Sequence, residues 1–103
     1  ITLDEDDIIA PIDIINNTAD YFRLGIDELT GTSRAQAIAT ARQIAMYLCR
    51  EMTNLSLPKI GQLFGGRDHT TVIHAVDKTQ RLMREDKETF DQVTGIIGRI
   101  KNS

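Results

Sequence analysis

The 103-residue sequence has no tryptophan, one cysteine, two prolines, and only two tyrosines and three phenylalanines. A lone Cys49 excludes an intramolecular disulfide, and its place in the middle of an expected helix makes it a small buried apolar group. With two Pro and seven Gly there is too little turn chemistry for a many-stranded β fold, and the apolar residues recur at helical spacing. The sequence has no long apolar run, signal peptide, internal repeat or low-complexity tract, a pattern that suits a cytoplasmic protein. It also lacks the G-x-x-x-x-G-K-[ST] phosphate loop and the H-E-x-x-H zinc motif. His69 and His74, with Asp68 and Asp77, are the nearest approach to a metal or acid–base cluster. Their five-residue spacing puts the two imidazoles on poorly matched helix faces, and no second cluster completes the set.

The charge is modest overall and uneven along the chain. The formal net is −3. Residues 1 to 33 carry one Lys/Arg against eight Asp/Glu, residues 34 to 84 carry eight against three, and residues 85 to 103 carry three against four. The middle segment is therefore net +5 inside an acidic chain. Such a segregated cationic region is the electrostatic footprint of a polyanion site, whatever the total charge.

That region contains the most informative stretch, Gly65-Gly66-Arg67-Asp68-His69-Thr70-Thr71-Val72-Ile73-His74-Ala75-Val76. A glycine pair suits a tight turn, and Asp68 suits the N-cap of a following helix. His69, Thr70 and Thr71 then fall in its first turn, where a helix entering a DNA major groove presents side chains to base edges. Thr methyls can meet thymine methyls, Asp68 can accept from a cytosine amino group, and His69 can donate to a base acceptor. Thr71, His74, Lys78 and Arg81 form a polar stripe, with Val72, Ala75, Thr79 and Leu82 as an apolar stripe beside it. Upstream, Ser56-Leu57-Pro58-Lys59-Ile60-Gly61-Gln62-Leu63-Phe64 reads as a short helix capped by Ser56, with Leu57, Ile60, Leu63 and Phe64 on one side. Short helix, glycine turn and second helix make a helix-turn-helix.

The rest of the chain is expected to be helical too. A helix over 34–53, about 30 Å long, packs Ile38, Ala41, Ala45, Leu48 and Met52 inward, with Thr32 or Ser33 as its cap. Arg42 and Arg50, eight residues apart, are expected to project from nearly the same side, with Gln43 beside the first. A first helix over 13–22 faces Ile15, Ala19 and Phe22 inward, and Ile26 to Leu29 add one turn. A last helix packs through Phe90, Val93, Ile97 and Ile100. The fold class is all-α, a helical bundle containing a helix-turn-helix with a long central helix. Residues 1–11, acidic and starting at Ile1 rather than Met, are read as a linker from an upstream domain, and 12–103 as the helix-turn-helix domain.

The run from Ser33 to Lys78 closely resembles the C-terminal DNA-binding domain of the DnaA family of bacterial chromosomal replication initiators. Ala41-Arg42-Gln43-Ile44-Ala45-Met46, Leu55-Ser56-Leu57-Pro58-Lys59-Ile60-Gly61 and Phe64-Gly65-Gly66-Arg67-Asp68-His69-Thr70-Thr71-Val72 carry the resemblance. It implies a Trp-repressor-like arrangement and binding of double-stranded DNA at a short asymmetric element, the DnaA box, of consensus resembling TTATCCACA. Carried over by position, Arg34 enters the minor groove, Asp68, His69, Thr70 and Thr71 contact bases in the major groove, and Pro58 and Ile73 touch thymine methyls or sugars. Arg42, Gln43, Arg50, Thr53, Leu57, His74 and Lys78 match phosphate-contacting positions. An arginine on a short loop suits the narrow, strongly negative minor groove of A·T-rich DNA.

The resemblance further implies no cofactor in this segment, with ATP and Mg²⁺ handled by an upstream domain. The lack of an obvious dimer seam, with contacts spanning both grooves of a single site, points to a monomer on one box, with oligomers of the full-length protein formed through other domains and no membrane contact. The sequence departs from the family where Thr32, Gln36 and Thr40 leave Arg34 as the only cation between residues 24 and 41, and where Asp77 precedes Lys78. Both departures lower the expected non-specific affinity and leave the base-reading residues in place. Another helix-turn-helix protein with a different target, or a helical protein-interaction module, are the competing classes. Steep loss of affinity with salt separates DNA binding from apolar docking.

Overall fold

The computed structural model describes residues 9–102. Six helices follow in chain order: α1 (Pro11–Tyr21), α2 (Ile26–Thr30), α3 (Gln36–Met52), α4 (Leu57–Leu63), α5 (His69–Glu85) and α6 (Lys87–Lys101). No strand occurs among the described residues, so the all-α reading holds. Most of the expected linker lies outside the described residues. Its last member, Pro11, belongs instead to α1, where it occupies the first turn, the one helical site at which a missing N–H costs nothing.

The long α3 is the axis of the bundle. It packs against α1, α2, α4 and α5, while α5 also packs on α4 and α6, and α6 closes back on α1. One apolar cluster runs through all six helices, with Ile14, Leu29, Ile44, Met46, Leu48, Ile60, Phe64, Val72, Val93 and Ile96 fully enclosed. Cys49 lies in this core, and burial pushes its thiol pKa up to about 12, which leaves it inert.

Local signals explain the helix ends. Ser56 Oγ accepts the Lys59 N–H at 3.3 Å, and Asp68 Oδ1 accepts the Thr71 N–H at 3.0 Å, so α4 and α5 both start on the expected caps. Between them Gly65 and Gly66 take φ of +80° and +79°, the left-handed geometry expected of the turn. Gly61 is required for a different reason: a Cβ there would collide with the Arg67 carbonyl, so α4 and the turn pack backbone to backbone. α1 ends with Leu24 N–H on Ala19 O at 2.8 Å and Arg23 N–H on Asp20 O at 3.1 Å, a Schellman closure with Arg23 at φ +56° where glycine is usual.

Three expectations shift. The cap of α3 is Ala35 and not Thr32 or Ser33; Ser33 Oγ accepts only the Ala35 N–H, at 3.3 Å, because the chain runs extended before entering the helix. In α6 the inward residues are Thr89, Val93, Ile96 and Ile100, and Phe90 is 47% exposed. The physical reason is the junction: Asp86 ends α5 and starts α6, and its carboxylate accepts the Thr89 hydroxyl at 2.7 Å, which turns Phe90 outward. In α1, Phe22 lies just past the helix end, half-buried and edge-on to Tyr21, while Ile14 and Thr18 fill the inward face with Ile15 and Ala19.

Candidate nucleic-acid interface

The start of α5 projects from the bundle. His69, Thr70 and Thr71 are exposed, and Ile73, 36% exposed, and His74 continue the open surface, while Val72, Ala75, Val76 and Thr79 anchor the helix to the core. The Asp68 carboxyl is held below the usual aspartate range, chiefly by the Thr71 N–H, so it stays ionised as a cap and as an acceptor facing solvent.

A second projecting element, the segment 32–35 between α2 and α3, carries the exposed Arg34. Two guanidinium groups hold the end of α2 and the start of this segment. Arg42 of α3 is only 6% exposed: its Nε donates to Leu29 O at 2.8 Å, Nη1 to Ser33 O at 3.0 Å and Nη2 to Glu28 O at 3.1 Å. Arg67 of the helix-turn-helix turn donates through Nη2 to Gly31 O at 2.7 Å and through Nη1 to Phe64 O. Burial and the neighbouring Arg67 charge both lower the Arg42 pKa.

This placement corrects the reading of Arg42 and Arg50 as a matched pair of open clamps. Eight residues at about 100° each leave the two about 80° apart around the helix, and Arg42 turns into the fold while Arg50 stays exposed. Gln43 and Arg50, seven apart, differ by only about 20° and share the face. Thr53 is also committed locally, its hydroxyl donating to Cys49 O and accepting the Leu55 N–H at 3.2 Å.

Of the other expected residues, Arg34, Gln43, Thr71, His74 and Lys78 come together. A groove of about 230 Å³ between α3 and α5 is lined by Gln43, Thr71, His74 and Lys78, with Arg42 and Arg67. It adjoins a wider hollow of about 480 Å³ around Arg34, Thr32 and Ser33, and Ala39, Arg42 and Arg67 line both. The face of α5 and the Arg34 segment thus border one concave surface floored by two arginines. At the entrance to α4, Pro58 is exposed and Leu57 half-buried; Arg50 and Thr53 lie at the far end of α3, outside the groove lining.

Electrostatics sets this surface apart. All three ion pairs among the described residues, Arg81–Glu85, Lys87–Asp91 and Arg99–Asp20, lie elsewhere. None of its four lining cations, Arg34, Arg42, Arg67 and Lys78, has a carboxylate partner among the described residues; Arg23, Arg50, Lys59, Arg84 and Lys101 are unpaired as well but lie outside the hollow. Arg42 and Arg67 satisfy N–H donors on carbonyls, which leaves their charges uncompensated. Uncompensated cations in a concave, partly desolvated surface focus a positive potential on whatever enters it.

Residues 11–79, from the start of α1 through most of α5, match the family described as Bacterial dnaA protein helix-turn-helix. The chain belongs to this DnaA helix-turn-helix family. It is 66% identical over all 103 residues to the Chromosomal replication initiator protein DnaA of Leifsonia xyli subsp. xyli (strain CTCB07) and equally so to that of Clavibacter sepedonicus. Against the DnaA of Cutibacterium acnes (strain DSM 16379 / KPA171202) it is 61% identical over 93 residues, 90% of the chain. The chain spans about a fifth of these relatives' length, 22% of the first two and 19% of the third. For a member of the DnaA family, the residue that sequence reasoning left without a role is Arg67. Its bond to Gly31 crosses 36 residues of chain, and no local periodicity announces such a contact. Among the described residues no group of three His, Cys, Asp or Glu could hold a metal ion, and no helix is long and apolar enough to cross a membrane.

Proposed function

We propose that this chain is the sequence-specific, double-stranded DNA-binding module of a chromosomal replication initiator and reads a DnaA box resembling TTATCCACA. The first turn of α5 enters the major groove, where Asp68, His69, Thr70 and Thr71 meet base edges and Ile73 and Pro58 meet thymine methyls or sugars. Arg34 enters the adjacent minor groove. Gln43, His74 and Lys78 hold phosphates along the groove, Arg50 and Leu57 flank it, and Arg42 contributes mainly charge from the floor. The observation that carries this reading is the single concave surface on which exposed α5 residues, the Arg34 segment and uncompensated cations meet.

The module binds without catalysing. ATP and Mg²⁺ belong to other parts of the full-length protein, which assembles on the origin in the cytoplasm through those parts, while this module sits as a monomer on one asymmetric box. Fluorescence anisotropy with a box duplex and a scrambled duplex at one fixed salt concentration tests the reading. We expect a clear preference for the box and one protein per duplex; equal affinity for both duplexes rejects it.

A further inference from the structure

We propose that Arg67 is a positioning residue that locks the Arg34 segment to the helix-turn-helix turn, so that the minor-groove and major-groove contacts are set as one rigid unit before DNA arrives. The inference rests on the DNA-binding reading for its consequence, though not for its geometry. Residues 32–35 form no helix, and the described bonds that fix the stretch from Gly31 to Ala35 are few. Gly31 N–H reaches Glu28 O at 3.4 Å, Ala35 N–H reaches Ser33 Oγ at 3.3 Å, Ala35 O accepts the Ala39 N–H at 2.8 Å, Arg42 donates to Ser33 O and Arg67 to Gly31 O. Among the described hydrogen bonds, only that of Arg67 ties this stretch to the turn that launches α5. Its own backbone is fixed there, with its N–H on Gly61 O at 3.0 Å and its Nη1 on Phe64 O, the carbonyl of a fully buried residue. The turn also abuts the end of α2, since a Cβ on Gly65 would lie 3.0 Å from Thr30 O.

A planar guanidinium is the side chain for this task, because one group spans two fixed carbonyls with its two Nη atoms, which a point-like ammonium cannot do in the same geometry. The mechanism is preorganisation. An arginine on a loose segment loses affinity to ordering when it enters the minor groove, whereas one on a latched segment does not. The latch also explains the groove floor: two like-charged guanidiniums are held side by side by backbone carbonyls without any carboxylate.

The test combines dynamics of the free protein with a double-mutant cycle. In the wild-type protein without DNA, ¹⁵N heteronuclear NOE values for residues 31–35 should match those of the helices, and in Arg67→Lys they should fall while the thermal melt stays cooperative. On the box, Arg34→Ala should cost about tenfold or more in affinity. Arg67→Lys should cost a similar factor despite keeping its charge, and the double variant should be at most about twofold worse than either single. A mobile 31–35 segment in the wild-type protein overturns the latch without reference to any variant or DNA. Full additivity in the double variant, or wild-type box affinity in Arg67→Lys, also overturns it. If wild type fails to prefer the box, the DNA-binding reading falls and the NOE values still judge the latch.

Discussion

The surface formed by α3, α5 and the Arg34 segment gathers its cations in one hollow without ion pairs, whereas every ion pair among the described residues lies on the surface formed by α1, α6 and the end of α5. On the second, Arg99 sits over the Tyr21 ring at 5.1 Å and reaches Asp20 at 3.3 Å, and Arg81 and Lys87 pair with acids one turn on, while Arg23, Arg84 and Lys101 have no carboxylate partner among the described residues. Those pairs are exposed and add little stability, but each neutralises its own cation. On the first, the four cations that line the hollow, Arg34, Arg42, Arg67 and Lys78, have no carboxylate partner among the described residues. Lys78 and Arg81 make the contrast within one helix. They belong to the same polar stripe, yet Lys78 lines the groove and Arg81 is tied to Glu85. Charge that a fold leaves unpaired at a concave surface is charge available to a polyanion.

The largest expected effect comes from Arg42→Ala, which removes the donors of three backbone carbonyls at once. A loss of about 2–4 kcal/mol of fold stability in chemical denaturation is expected, since each buried acceptor left unmade costs about 1–3 kcal/mol. Unchanged stability would return Arg42 to the role of a free phosphate clamp. His69→Ala should cost roughly 1–3 kcal/mol on the box and far less on scrambled DNA, with the fold intact. Equal loss on both duplexes would mean that the start of α5 does not read bases.

Lys78 and Arg81 supply the sharpest internal control. Lys78→Ala should weaken box and scrambled DNA alike and reduce the magnitude of the salt slope by about 0.9, whereas Arg81→Ala should leave the slope almost unchanged. The same slope change in both variants would erase the distinction between the two surfaces. The smallest effect is expected from Arg99→Ala, with a stability loss of at most about 1 kcal/mol and no change in DNA affinity.

How much of this was legible in the sequence depended on the range of the interaction. Ser56 and Asp68 act on N–H groups three residues away, so both caps and the helix-turn-helix could be read directly. The Val72, Ala75 and Thr79 stripe was legible for the same reason. In α6 two helical registers, 90/93/97/100 and 89/93/96/100, were both periodic. The choice fell to an Asp86–Thr89 hydrogen bond that makes a threonine the inward residue and leaves a phenylalanine out. The arginines were the least legible. A guanidinium on an open helix face and one folded onto carbonyls 9 to 36 residues away have the same sequence signature, so the sequence suggests a clamp at Arg42 and assigns no contact to Arg67.

The central claim is that the concave surface of α3, α5 and the Arg34 segment, and not the face of α1 and α6, meets DNA. Titrating ¹⁵N-labelled protein with a box duplex and mapping amide shift changes tests it most directly. We predict the largest changes at Arg34, at residues 57–59 and at residues 68–78, with α1 and α6 almost unperturbed. Changes concentrated on α1 and α6, with residues 68–74 silent, would contradict the account.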